Sequence, residues 1–265
     1  MNRFDALIRR KSTRQYAPKA VPSEILEEIA KQIDSIHPPF DTGHLNVDLI
    51  EDGSKVHLAS KGLIGPFGKN KAPHFLILSG KPLEGMRESA GYVGEHLVIS
   101  LTALGLATCW LGGHIKKGAL SSLINAQDGH QLAAIIAFGL PKEPEGHLRK
   151  DISRIRRKHL EQLTADGSVD PRWEQLLEAV RIAPSAINSQ PWRFYCDGKR
   201  LHMFIRPAGS FLSQRMLGKV NFVDAGIALC HLAEAAKFYN RSITFESTPD
   251  VRYAELIYII TIVDK

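Results

Sequence analysis

Two segments of this chain are apolar on nearly every side at helical spacing. They are Gly91 to Leu106 and Val223 to Phe238, the latter containing DAGIALCHLAEAAKF. A helix of that kind needs cover in all directions, inside a folded body or inside a membrane. The longest uncharged stretch, Leu97 to Gly113, is short for a membrane span. It also carries Ser100, Thr102, Thr108 and several glycines. We therefore read both segments as helices buried in a protein core and expect no membrane association.

The surrounding pattern repeats. In the first half a helix starts near Pro22, with Ile25, Ile29 and Ile33 forming one stripe. Strands follow at 45–52 and 74–80, then the long helix, then a strand at 132–139. In the second half Asp170-Pro171 is an N-cap followed by a first-turn proline, and Trp173, Leu176, Leu177 and Val180 make the next stripe. The runs 192–196 and 201–206 flank Asp197-Gly198, a hairpin signal. The second long helix and strands at 243–247 and 255–263 close the chain. Each half reads helix, strand, strand, long buried helix, strand. The expectation is an α+β fold with two sheets flanking a central helical core and a pseudo-two-fold internal repeat. Its halves, 1–150 and 151–265, pack as one compact unit.

Composition narrows the class. Of 265 residues, 44% are hydrophobic and 23% charged, which excludes a disordered polyelectrolyte. Lys and Arg number 34 against 28 Asp and Glu, a formal charge of +6. That mild excess suits an anionic small ligand as well as a nucleic acid. Cys109, Cys196 and Cys230 are far apart and form no CxxC pair, so a reducing, cytoplasmic setting is expected. No apolar run at the N-terminus is long enough for a signal peptide.

Four segments could carry chemistry. Arg9-Arg10-Lys11-Ser12-Thr13-Arg14 holds four cations and two hydroxyls, the donor set a phosphate dianion takes; the same run could also be a solvated basic face. Ala183 to Trp192 (APSAINSQPW) puts four small polar side chains between two stiffening prolines, and could equally be an ordinary helix-to-strand loop. Thr108 to His114 (TCWLGGH) places paired glycines after a buried helix, where a ligand could approach the backbone or the helix could simply stop. Arg149-Lys150 opens the basic run RKDISRIRRKHL, a solvated face or a weak nucleic-acid patch without interleaved aromatics. The chain has no HExxH, GxSxG or GxGxxG, and its eleven histidines lack metal-ligand spacing. Neither a metal nor a catalytic triad is expected.

Taken together, RRKSTRQY with VPSEILEEI, APSAINSQPWRF, GLATCWLGG and FGLPKEPEGHLRK resemble the FMN-dependent nitroreductase family over essentially the whole chain. Ordinary members are homodimers whose interface holds two FMN sites. Each takes an arginine-rich motif from one subunit and a proline-serine-asparagine loop from the other. Here the arginine motif lies in the first half and the loop in the second. The corresponding first-half loop, SIHPPF (35–40), lacks Ser, Asn and Gln. The resemblance thus implies a fused, diverged dimer with one intact flavin site, monomeric because the chain mimics the pair.

It also implies roles. Arg10, Lys11 and Ser12 would hold the FMN phosphate, joined by Arg149 and Lys150. Arg14 would face N1 and O2 of the isoalloxazine. Pro184, Ser185 and Asn188 would lie along the ring and ribityl chain. Gly112 and Gly113 would bring a backbone N–H to N5 or O4, although the family often has an acidic residue where Gly112 stands. The loop 62–71 would close over the pyrimidine edge. The activity implied is an FMN-dependent NAD(P)H oxidoreductase, passing hydride to nitroaromatic or quinone-like acceptors by a ping-pong scheme. No catalytic side chain is required, with His114 a conceivable proton source. The rival readings are a flavin store or sensor without turnover, and a nucleic-acid-binding protein working through the 149–158 run.

Overall fold

The computed structural model describes residues 1–40, 45–59, 71–111, 123–124, 129–209, 218–248 and 250–265. The chain divides into two units, Met1–Ile152 and Ser153–Lys265.

The first unit opens with a helix α1, Arg3–Arg9, before the one expected near Pro22. With seven residues it is too short to show a period, and its start is fixed by a cap: the Asn2 side chain accepts from the Asp5 N–H at 2.8 Å. Helix α2, Ser23–Ser35, then buries Leu26 and Ile29. An antiparallel sheet follows, made of β1 (Leu45–Ile50), β2 (His74–Gly80), β3 (Ala107–Leu111) and β4 (Gln131–Gly139), in the order β1-β2-β4-β3. Strand β3 takes in Thr108 to Leu111 of the TCWLGGH segment, for which the sequence gives no strand signal. Its five residues give too little alternation to betray a strand, and four of them are buried.

Between β2 and β3 runs helix α4, Met86–Ala103, after the short α3, Gly53–Ala59. Helix α4 starts five residues before the apolar segment read from sequence and ends three before its close. It is buried nearly all round, against Leu76, Leu78, Ile136 and Phe138 of the sheet. Gly94 is what lets β3 come close. A Cβ there would lie 2.4 Å from Trp110 Cη2. One residue on, the Trp110 indole N–H donates to the buried Glu95 carboxylate at 2.7 Å.

The second unit begins with a four-residue turn of helix α5, Leu160–Leu163, and continues with α6, Pro171–Arg181. The Asp170 side chain caps α6 as expected, accepting from Arg172 N–H at 2.8 Å. The antiparallel sheet here is β5 (Trp192–Asp197), β6 (Arg200–Ile205), β7 (Ile243–Glu246) and β8 (Ile257–Asp264), in the order β5-β6-β8-β7. The β5–β6 hairpin pairs Asp197 with Arg200, so its turn is centred on Gly198-Lys199, one residue beyond the expected place. Gly198 takes φ +57°, as a two-residue hairpin turn requires. Between β6 and β7 lies α7, Val220–Phe238, buried from Asn221 to Ala236 over most of its length. Each unit thus carries a sheet whose strands run first-second-fourth-third, with a long apolar helix between its second and third strands. Among the described residues no helix is long and apolar enough to cross a membrane.

Candidate functional site

The arginine segment is extended backbone clamped on both sides. Ser12 bridges in parallel to Thr108 on the outer edge of β3, and Thr13 N–H donates to Thr108 O at 2.9 Å. On the other side Arg10 bridges to Leu148, and Arg149 N–H donates to Arg9 O at 2.7 Å. Side chains tighten the same clamp: Arg149 Nε donates to Arg10 O at 2.9 Å, and Arg9 Nε to Arg149 O at 3.4 Å. The clamp brings Arg10, Ser12 and Arg149 into one patch, with Lys11 half-buried and Arg14 exposed beside it. Lys150 follows Arg149 at the surface.

The electrostatics of that patch are incomplete. Arg10 is 3% exposed, its Nη2 reaches Ser12 Oγ at 3.5 Å, and its buried Nε has no hydrogen-bond partner. Burial holds the Arg149 guanidinium below its ordinary range, and the neighbouring Arg10 charge pushes the same way. Among the described residues neither arginine has a carboxylate in ion-pair contact. The Cys109 thiol underneath is pushed up by burial, partly offset by Arg14, Arg10 and a hydrogen bond with Ser12. It is a neutral, inert floor. A buried and a half-buried like charge, a hydroxyl and an orphaned N–H form a cradle that an anion completes.

The loop 183–192 is strained. Ile187, Asn188 and Gln190 take φ values of +48°, +60° and +47°, three non-glycine residues in the left-handed region within four positions. Such strain persists only where the surroundings over-determine it. Here the surroundings are explicit. Asp224, the fifth residue of α7, accepts from Ala186 N–H with both oxygens at 3.1 Å and from Ser189 Oγ at 3.5 Å. Burial raises the Asp224 carboxyl to about 7, against the lowering effect of those two donors. Ser185 Oγ accepts from Gln190 N–H at 3.0 Å. Arg157 Nη1 donates to Asn188 Oδ1 at 2.6 Å, and Asn188 Nδ2 donates to Arg156 O at 3.1 Å. Lys158 Nζ donates to Ser189 O at 2.8 Å and to Gln190 O at 3.1 Å. The effect is to present Ile187, 82% exposed, at the tip of a rigid loop.

Pro184, Ser185 and Asn188 therefore share one rigid loop in the second unit, and Arg10, Lys11, Ser12, Arg14 and Arg149 one patch in the first. Gly112, Gly113 and His114 lie outside the described residues, as does the loop 62–71 except for Lys71. Sequence reasoning missed Asp224, Arg157 and Lys158. Asp224 sits 38 positions after Ala186, inside a helix that reads as plain core. Arg157 and Lys158 were read only as members of a charge run.

Comparison with known proteins sets these features in a family. A family model described as "Putative TM nitroreductase" matches residues 2–236. No curated protein matches the chain. Among solved structures, a protein described as a putative nitroreductase from Thermotoga maritima aligns with a TM-score of 0.63 and 21% identity, over 99% of this chain and 94% of its own. A nitroreductase family protein from Clostridium difficile aligns with a TM-score of 0.45 and 19% identity, over 56% of this chain and 91% of its own. A nitroreductase with bound FMN from Desulfitobacterium hafniense aligns with a TM-score of 0.47 and 14% identity, over 60% of this chain and 100% of its own. The family match runs from before the arginine segment, through the strained loop, almost to the end of α7, and the chain belongs to this nitroreductase family.

Proposed function

We propose that this protein is an FMN-dependent NAD(P)H oxidoreductase acting on nitroaromatic or quinone-like acceptors. The observation that carries the reading is the Arg10–Arg149 cradle: two desolvated guanidinium groups beside a serine hydroxyl, with a buried Arg10 N–H left over. A phosphate monoester dianion supplies the missing acceptors and removes the repulsion between the two cations. FMN, the cofactor that the resemblance to this family implies, carries such a phosphate.

When bound, FMN supplies hydride transfer through its N5, between NAD(P)H and the acceptor in a ping-pong scheme. The chain supplies binding and electrostatics. Arg10, Ser12 and Arg149 hold the phosphate, with Lys11 and Lys150 adding charge at the rim. Arg14 provides a cation for the pyrimidine edge, where negative charge collects on reduction. For the second unit, the family resemblance is what assigns Pro184 and Ser185 to flavin contacts. Asn188 is a positioning residue of the loop 183–192, because both ends of its amide are used to hold that loop on Arg156 and Arg157. The glycine pair 112–113 keeps its assignment to N5 or O4. We place the activity in the cytoplasm, which suits three cysteines that form no disulfide.

Steady-state oxidation of NADH and NADPH by FMN-loaded protein, with menadione or a nitroaromatic as acceptor, tests the proposal. Acceptor-dependent turnover supports it. FMN bound without oxidation of either nucleotide would instead make the protein a flavin store or sensor.

A further inference from the structure

The second unit holds a cationic cavity that the flavin assignment does not use. Its volume is about 500 Å³, and its walls include Lys158, Arg193, Arg206, Tyr253 and Leu256, with Glu161 also among them. Arg193 is 4% exposed; its Nη1 donates to Gln190 O at 3.1 Å and to Trp192 O, and its buried Nε has no partner. Lys158 Nζ donates to the same Gln190 carbonyl, so two cations share one neutral acceptor. Arg206 stands at the exposed end of β6.

The charges do not balance. Burial lowers Lys158 to about 8, and Arg193 and Arg206 both add to the lowering. Burial lowers Arg193 to about 10, again with Arg206 contributing. Glu161 is exposed and is not among the charges acting on either group. A buried Arg193 beside a half-buried Lys158 and an exposed Arg206, with no counter-ion in contact among the described residues, is costly, and a bound anion is the ordinary way to offset it. The opposite wall is apolar and aromatic. Tyr253 packs on Tyr195 and Phe204 with ring centroids 5.1 and 6.2 Å apart. Ala254, on the same wall, takes φ +45°.

We infer that this cavity is a second anion site, for an organic phosphate monoester whose phosphate meets Lys158, Arg193 and Arg206 and whose apolar part lies on Tyr253 and Leu256. The site is separate from the Arg10 cradle and does not depend on the flavin reading. Lys158 and Arg193 hold both the cavity and the Gln190 carbonyl, so an occupant would act on the strained loop directly.

The test is calorimetric titration of phenyl phosphate into the full chain carrying Arg10→Ala, which disables the other cradle. Saturable binding is expected, weakened by roughly tenfold or more in Arg206→Gln and in Lys158→Gln, the loss of one charge-assisted hydrogen bond. Inorganic phosphate should bind more weakly than phenyl phosphate, because it lacks the ring that meets Tyr253. Affinity should fall as pH rises through about 8, where Lys158 loses its proton, and this fall should vanish in Lys158→Gln. Arg206 is exposed, so its substitution leaves the core intact. Absence of saturable binding, or binding untouched by both substitutions, overturns the site. Equal affinity for the two phosphates overturns the organic ligand. Loss of FMN binding would leave these outcomes unchanged, so the two proposals fail separately.

Discussion

Arg149 Nε donates to the carbonyl oxygen of Arg10 at 2.9 Å, which brings the two arginines within reach of each other's charge where, among the described residues, neither meets a carboxylate. A fold gains nothing by itself from that juxtaposition. Arg10→Met keeps the packed hydrocarbon and removes one of the two like charges. We expect FMN affinity to drop by roughly tenfold or more, the usual loss for a charged hydrogen bond. The cofactor-free protein should be no less stable than wild type, as for other residues kept for function. Fluorescence titration with FMN and denaturant unfolding of the cofactor-free protein read the two effects separately. Loss of stability with unchanged affinity would make Arg10 structural.

Asn188→Ala removes the acceptor for Arg157 and the donor to Arg156 O, and puts alanine at φ +60°. Asn188→Gly removes the same bonds but relieves the backbone, which costs alanine about 1–2 kcal/mol. We expect both variants to lose stability in denaturant unfolding, the alanine variant more, because the loop loses its side-chain anchor in each. Wild-type stability in Asn188→Gly would show that backbone strain, and not the amide, carries the effect.

Asp224 links the loop to pH. Its folded value, about 7, is raised above the ordinary 3.8 by burial. The folded state therefore holds the proton more tightly than the unfolded one. The resulting stability is complete below 3.8 and is lost as pH rises through 7. Asp224→Asn keeps an acceptor for the Ala186 N–H and removes the charge. We expect the variant to lose less stability than wild type between those two pH values in denaturant titrations. Glu88, raised to about 7 by burial, adds a similar slope from the first unit. The difference between the two proteins isolates Asp224. Parallel curves would contradict its assigned role.

Gly94→Ala tests how closely α4 approaches β3. The added methyl would sit 2.4 Å from Trp110 Cη2. Overpacking of this kind costs about 1–3 kcal/mol. The strain should reach the Trp110–Glu95 hydrogen bond and shift tryptophan emission. An unchanged melting temperature and spectrum would mean that the two elements can separate freely.

Much of the fold was legible because hydrophobic periodicity is a local signal. Strand β2 falls on the expected residues, and both long helices lie within a few residues of their apolar segments. Helix α1 was invisible because seven residues show no period, and β3 because a short buried strand looks like the end of the preceding helix. The arginine segment was legible as composition, but not its incompleteness. That depends on Leu148 and Arg149 returning to pair with Arg9 and Arg10 from about 140 residues away. The loop 183–192 looked ordinary for a different reason. Nothing in Ile187 or Gln190 announces positive φ, and the carboxylate that enforces it comes from a helix that reads as core.

On the proposed function, the Arg10–Arg149 cradle exists to hold a flavin phosphate. Titrating FMN into the purified cofactor-free protein, followed by flavin fluorescence and visible absorbance, measures it directly. We predict saturation at one FMN per chain, competition by inorganic phosphate, and the same titration markedly weakened in Arg10→Ala. A protein that stays colourless and takes up no FMN at any concentration used would contradict it.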